Sequence, residues 1–260
     1  GTIIASFQAG AVSYLYYADR VYQINLAIAG IAVGTVSLPV LSKAFKSKNF
    51  TKVSNIQSGA IQLSLLFSIP ASLGLIIASE EIINGLFGYG SFSPNDVEMT
   101  SKALVFFGFG VVAFALVKIL SNFFFARDNT KTPFYISSFI VFLNVTISLT
   151  FFSKVGFLIV PLATSISTWV GVIIFLYVLR KKNYLILENK LFHNTIKIVL
   201  STIIMVLVLL LLLEKYSNYL DYEYTFKSIY LLIIVGFAAI IYLILCYLLG
   251  LLNIKNYKTN

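Results

Sequence analysis

The stretch VYQINLAIAGIAVGTVSLPVLS, residues 21–42, runs for 22 residues without a charge. A helix rises about 1.5 Å per residue, so about 20 apolar residues span the roughly 30 Å of hydrocarbon in a bilayer. Uncharged runs of the same length or longer cover residues 53–79, 132–153, 155–179 and 228–254. Residues 103–126 form a sixth, interrupted only by Lys118, and residues 191–213 a seventh that ends in the run from Val206 to Leu213. The first 18 residues are also uncharged but open at Gly1, so they read as the tail of a helix that begins upstream. No basic start followed by a small-residue cleavage site marks a secretory signal.

Composition agrees. Of 260 residues, 59% are hydrophobic and 11% charged, with mean hydropathy +0.92, against about 25% charged residues in a soluble domain. A membrane β-barrel would alternate apolar and polar residues over about 10 positions, whereas these runs are apolar all round. The expected fold class is therefore all-α, a polytopic bundle of transmembrane helices. Cys246 is the single cysteine, which excludes a disulfide framework and a thiolate metal site. His193 is the single histidine and follows the basic cluster Arg180, Lys181, Lys182. No second imidazole, and no carboxylate pair within a span, accompanies it. Glu80 and Glu81 fall at a membrane edge, so catalysis and a bound cofactor are not expected.

The net charge of +9 follows from topology and implies no nucleic-acid partner. Lys43, Lys46, Lys48 and Lys52, then Arg127 and Lys131, then Arg180, Lys181, Lys182, Lys190 and Lys197, then Lys255 and Lys258 fall on one side of the alternating connections. Lys102, Lys154, Lys215 and Lys227 fall on the other, so thirteen basic residues oppose four. The positive-inside rule places the thirteen, and the C-terminus, in the cytoplasm, where membrane lipids with anionic headgroups favour them. Seven complete crossings follow the partial one, the first running from outside inwards.

An ionisable residue within a span is costly and marks a water-filled cavity or a partner. Asp19 and Arg20 lie in a helix expected to run from about Val12 to Ser42, roughly 11 Å below its outer end. Neighbours in sequence diverge around a helix, so the two are poorly placed to pair with each other. Helical steps from Tyr16 give Arg20, Gln23, Ala27, Gly30 and Gly34, a polar and then small-residue stripe. The small residues suit close helix contact, and Arg20 suits either a structural ion pair at the interfacial edge or, through its planar fork, phosphate oxygens. Lys118 lies about 13 Å inside the cytoplasmic boundary, with Asn122 one turn on, so snorkelling and a cavity-facing patch are both open to it. Asn144 and Thr164 are mid-span polar residues suited to an interhelical hydrogen bond or a cation. Pro39, Pro70 and Pro161 are expected to kink their helices.

The segments GAVSYLYYADRVYQINLAIAGIAVGTVSLPVLSKAF (10–45), LFGYGSFSPNDVEMTSKAL (86–104) and FFFARDNTKTP (123–133) resemble the second half of the MurJ (MviN) family of bacterial lipid II flippases. The resemblance covers roughly residues 1–180 and implies the multidrug/oligosaccharidyl-lipid/polysaccharide exporter fold. Residues 1–182 would be the second lobe, a truncated helix and then five full spans, and residues 183–260 two additional C-terminal helices. The first lobe of the same protein would be the missing partner. The implied activity is alternating-access flipping of lipid II, a polyprenyl-diphosphate-linked sugar, across the bacterial cytoplasmic membrane during peptidoglycan synthesis. The implied cargo contacts are Arg20 and Asp19, with Lys118, Tyr16 and Gln23 beside them; a monovalent cation or the membrane potential would drive the cycle. The rivals are export of another polyprenyl-diphosphate sugar or a drug, and a scaffold that recruits wall-synthesis partners through its basic loops.

Overall fold

The computed structural model describes residues 2–252, and its regular structure there is entirely helical. A short turn of helix, α1 (Thr2–Ala5), is followed by a break at Gly10 (φ 75°). One long helix then crosses as α2 (Ala11–Leu26), a π-helical segment (Ala27–Ala32) and α3 (Val33–Lys46). α4 (Phe50–Ile77) returns, capped by the Asn49 side chain, which accepts from the Lys52 amide at 2.9 Å. Residues 80–102, the connection to the next crossing, hold most of α5 (Ser79–Phe87) and the start of α6 (Pro94–Gly108). Ser93 and Asp96 form a reciprocal capping box there, with Pro94 at the first helical position, a combination that satisfies two orphan amides and needs no third.

α6 and α7 (Val111–Phe125) meet at a bend of 41°, so the crossing expected over 103–126 is a broken helix starting nine residues earlier. Every backbone group within a bilayer needs a partner, and three carbonyls at the bend take theirs from side chains. Ser165 donates to Phe106 O (2.6 Å), Ser72 to Gly108 O (2.7 Å) and Trp169 Nε1 to Phe109 O (2.9 Å). The bend at Gly108–Gly110 holds no proline, whereas Pro39 and Pro70 lie inside helices that continue past them and Pro161 lies in the first turn of the helix after Gly156.

α8 (Lys131–Val155) and α9 (Ile159–Lys181) form one apolar helical run of 51 residues, far longer than any bilayer requires. They are two antiparallel crossings hinged at Gly156 (φ 71°). Asn144 Nδ2 donates to Thr164 Oγ1 at 2.8 Å, and farther from the hinge Ile140 fills the space a side chain at Gly171 would take. With α10 (Lys190–Lys215) and α11 (Lys227–Leu248), the described residues hold seven apolar crossings, α6 and α7 taken together and α8 and α9 separately, as the charge alternation requires.

Arg127 contacts Phe45 and Tyr184, which puts the connections after α3, α7 and α9 at one end. These are the basic connections. Asn84 donates to Leu220 O at 2.8 Å and Tyr17 packs on Phe92 at 5.2 Å, placing the connections around α5 and α10 at the other. All three basic-end helices stop alike, on a left-handed residue: Lys48 (φ 54°), Asp128 (φ 55°) and Asn183 (φ 54°). The next amide in each case turns back to a carbonyl five residues earlier, at Ala44, Phe124 and Leu179, the Schellman pattern that satisfies helix-end carbonyls.

α10 and α11 pack on the flank of α4. Buried Tyr242 donates to Leu66 O (2.7 Å), and Asn194 donates to Gln62 Oε1 (2.8 Å). At the opposite end Ser228 donates to Gly85 O (2.6 Å). Lys255, Lys258 and the C-terminus, expected on the cytoplasmic side, lie outside the described residues.

Candidate functional site

The exposed face of α2 carries the charges singled out above. Arg20 is exposed, and its guanidinium carbon lies 4.8 Å from the ring centroid of Tyr16, which is 53% exposed. Tyr16 is four residues earlier, so the side chain leans toward the outer end of the helix. The half-buried carboxylate of Asp19 accepts a hydrogen bond from the Gln23 amide, and its partner is therefore not Arg20. Among the described residues the one ion pair is Lys102–Glu98, and no protein acceptor takes a hydrogen bond from the Arg20 guanidinium.

The stripe from Tyr16 to Gly34 does not stay together. Tyr16, Arg20 and Ala27 are exposed, whereas Gly30 and Gly34 are buried. The π segment between them supplies an extra residue per turn, so faces continuous along a straight α-helix part at this point. Both glycines sit against α7. A Cβ at Gly30 would lie 3.2 Å from the Ala115 Cα and 3.6 Å from Lys118 Cγ, and one at Gly34 would lie 2.9 Å from Asn122 Nδ2. Asn122 donates to Gly34 O at 2.8 Å and pins the inner half of the helix to α7.

Beside that seam a cleft of about 830 Å³ opens between α3, α7 and α8, lined among others by Thr35, Lys118, Ser121, Asn122 and Thr130. Lys118 is exposed in it. Arg20 stands ten residues from Gly30 along the helix, an axial separation of about 15 Å, and is outside the cleft. The structure thus groups Tyr16 with Arg20, and Asp19 with Gln23, and sets Lys118 apart from them toward the basic end.

Asn144 and Thr164, considered as cation ligands, bond to each other. His193 is exposed at the start of α10, and among the described residues no group of His, Cys, Asp and Glu has the spacing of a metal site.

Two cations read as plain loop charges prove to be internal. Arg127 donates to Phe123 O and Tyr184 O, both at 2.7 Å, and lies between the rings of Phe45 (3.6 Å) and Tyr184 (4.2 Å). Burial pushes its guanidinium down to about 10, so it remains charged at neutral pH. Lys227 is 1% exposed and donates to Gly88 O (2.6 Å) and Tyr222 O (2.5 Å), with the rings of Tyr89 and Tyr222 each 4.4 Å away. Only Tyr222, in DYEYTFK, is a local signal; the rings of Phe45 and Tyr184 at Arg127 and of Tyr89 at Lys227 come from distant segments.

Residues 1–252 match the family described as lipid II flippase MurJ. The "Probable lipid II flippase MurJ" of Rickettsia prowazekii (strain Madrid E) is 35% identical over 97% of this chain and 50% of its own length. That of Rhizobium tropici is 30% identical over 100% of this chain and 49% of its own. A solved structure titled "Lipid II flippase MurJ, inward closed conformation" superposes with a TM-score of 0.78 at 29% identity, over 95% of this chain and 49% of that one. The chain therefore spans about half the length of the relatives it matches. Seven apolar crossings, the YYADR segment on an open helix face and this match from one end of the described residues to the other have one reading: the chain is a multi-pass membrane protein that belongs to the lipid II flippase MurJ family.

Proposed function

We propose that this chain is the second lobe and C-terminal helix pair of a protein that flips lipid II across the bacterial cytoplasmic membrane by alternating access. Residues 1–182 form the lobe and 183–260 the added pair, with the basic connections and the C-terminus in the cytoplasm. The observation that carries the reading is the Arg20 guanidinium, exposed within the depth of a crossing helix and engaged, among the described residues, by the face of Tyr16 alone. Such a cation is costly in a membrane unless it faces water or an anion, and a planar fork matches diphosphate oxygens. Asp19 and Gln23, bonded to each other, shape the wall beside it.

The headgroup crosses while the polyprenyl tail stays in lipid. An inside-negative potential drives an anion outward by about 2.3 kcal/mol per charge per 100 mV, which supports the membrane potential as the drive.

The test is complementation of flippase loss by the full-length protein carrying Arg20→Ala. Loss of complementation with normal membrane insertion is expected, and normal complementation refutes the role. Export of a different cargo predicts instead that purified protein binds other polyprenyl diphosphates as tightly as lipid II. A scaffold predicts that neutralising Lys43, Lys46 and Lys48 is harmful while Arg20 is dispensable.

A further inference from the structure

Lys227 is the first residue of α11, where the helix dipole disfavours a cation, yet it is 1% exposed and no carboxylate among the described residues pairs with it. Burying an unpaired ammonium is costly. Two carbonyls offset that cost here, Gly88 O at 2.6 Å and Tyr222 O at 2.5 Å. One belongs to the connection between α5 and α6, the other to the connection between α10 and α11. The lysine therefore joins two outer loops that lie far apart in sequence.

The first of those loops, residues 88–92, is held by neighbours of Lys227 as well. The Tyr222 hydroxyl donates to Phe92 O at 2.6 Å, and the Tyr89 and Ser228 hydroxyls lie 2.6 Å apart. Gly88, Tyr89 and Phe92 are thus all tied to α11 or to the residues just before it. Through Phe92 the same loop meets the outer part of α2. Tyr17 packs on Phe92 at 5.2 Å and on Phe87 at 4.8 Å, meets Tyr16 edge to face at 5.7 Å, and Tyr16 in turn faces the Arg20 guanidinium at 4.8 Å. Aromatic pairs have preferred geometries, so a shift of the loop moves the ring on which Arg20 lies.

Resting on the reading of Arg20 as the contact for a diphosphate, we propose that Lys227 is a positioning residue for that contact. By clasping residues 88–92 it sets the Tyr17 and Tyr16 rings, and with them the direction in which Arg20 presents its donors. Lys227 itself, being buried, touches no cargo. The C-terminal helix pair acts on headgroup binding through this clasp, as a brace on the outer end of the lobe.

The experiment uses the full-length protein in lipid nanodiscs and native mass spectrometry, with a polyprenyl-diphosphate disaccharide and the neutral polyprenol as the two probes. Lys227→Met is expected to weaken the diphosphate probe about tenfold, the worth of one charge-assisted hydrogen bond lost at Arg20, and to leave the polyprenol unchanged. Lys227→Arg keeps a cation able to donate to both carbonyls and is expected to bind as the parent does. In an Arg20→Ala background, Lys227→Met is expected to add no further loss, because a residue that acts through Arg20 then has nothing to position. Tyr222→Phe keeps the ring beside Lys227 and removes only the bond to Phe92, so it decides the matter where Lys227→Met yields no folded protein. It is expected to weaken the diphosphate probe alone, about threefold. Parent affinity for the diphosphate in these variants overturns the positioning role. So does an equal loss from Lys227→Met with and without Arg20, or a loss shared by the polyprenol, since either marks general damage to the fold. Parent affinity in Arg20→Ala refutes instead the reading of Arg20 itself, so the two failures are distinguishable.

Discussion

Replacing Arg127 by alanine is expected to release the linker between α9 and α10. The guanidinium makes two charge-assisted hydrogen bonds of 2.7 Å, each worth about 1.5–3 kcal/mol, and its two ring contacts add about 0.5–2 kcal/mol together. Against this stands the desolvation that lowers it to about 10, roughly 2–3 kcal/mol once discounted for partial solvent screening. The Tyr184 carbonyl is not orphaned by the change, because Gln57 Nε2 also donates to it at 2.9 Å. Of these contacts only the bond to Tyr184 O and the contact with the Tyr184 ring are broken when the linker opens, so the net loss is about 1–2 kcal/mol, which raises the population of the locally open linker by roughly 5- to 30-fold. Tryptic cleavage after Lys181 or Lys182, followed by mass spectrometry under conditions where opening is faster than cutting, reads that population directly. Arg127→Lys keeps the charge but loses the fork and falls between. Gln57→Ala with Arg127→Ala should be non-additive, since both donors serve one carbonyl. A cleavage rate in Arg127→Ala equal to the parent refutes the assignment of Arg127 as a clasp.

Three further outcomes follow from other contacts. Lys227→Met leaves the Gly88 and Tyr222 carbonyls without their buried donor and should cost about 2–4 kcal/mol, seen as a lower melting temperature in detergent. Gly34→Val places carbon against Asn122, whose amide lies 2.9 Å from the Cβ position; it should separate α3 from α7 and abolish complementation while Gly236→Ala, with nothing near it, does not. Lys48→Gly relieves a left-handed residue at φ 54° and should raise stability by about 0.5–1 kcal/mol, measured by the same melt; an unchanged or lower melting temperature counts against it.

The crossings were legible because hydrocarbon thickness is a hard length and charges between spans are counted without knowing any partner. That reasoning finds where helices run and which ends are basic, and it found Arg20 and Lys118 as cations out of place. It does not find bends. Proline removes one backbone donor, a defect visible in sequence, yet α4 continues through Pro70. The bend at Gly108–Gly110 exists because Ser72, Ser165 and Trp169, from two other helices, hold its carbonyls. Asn144 and Thr164 were legible as polar and illegible as a pair, since only the turn at Gly156 makes them neighbours.

Arg20 and Arg127 show the same limit at the level of single residues. YYADR and FFFARD present an arginine next to an aspartate and close behind aromatic rings, one near each end of a crossing. Arg127 is held by a carbonyl on its own helix and by a second one 57 residues away, with a ring on either side. Arg20 has a single ring and is exposed. A guanidinium carries five donors, and what separates a structural arginine from one that receives a ligand is how many of them the fold has already taken. Charge and position in the sequence are equal for the two; the carbonyl of Tyr184, brought by a linker folded back across α4, makes the difference. The free donors of Arg20 are what the diphosphate reading requires, and the filled ones of Arg127 are why neutralising it should loosen a linker and leave the contact with cargo in place.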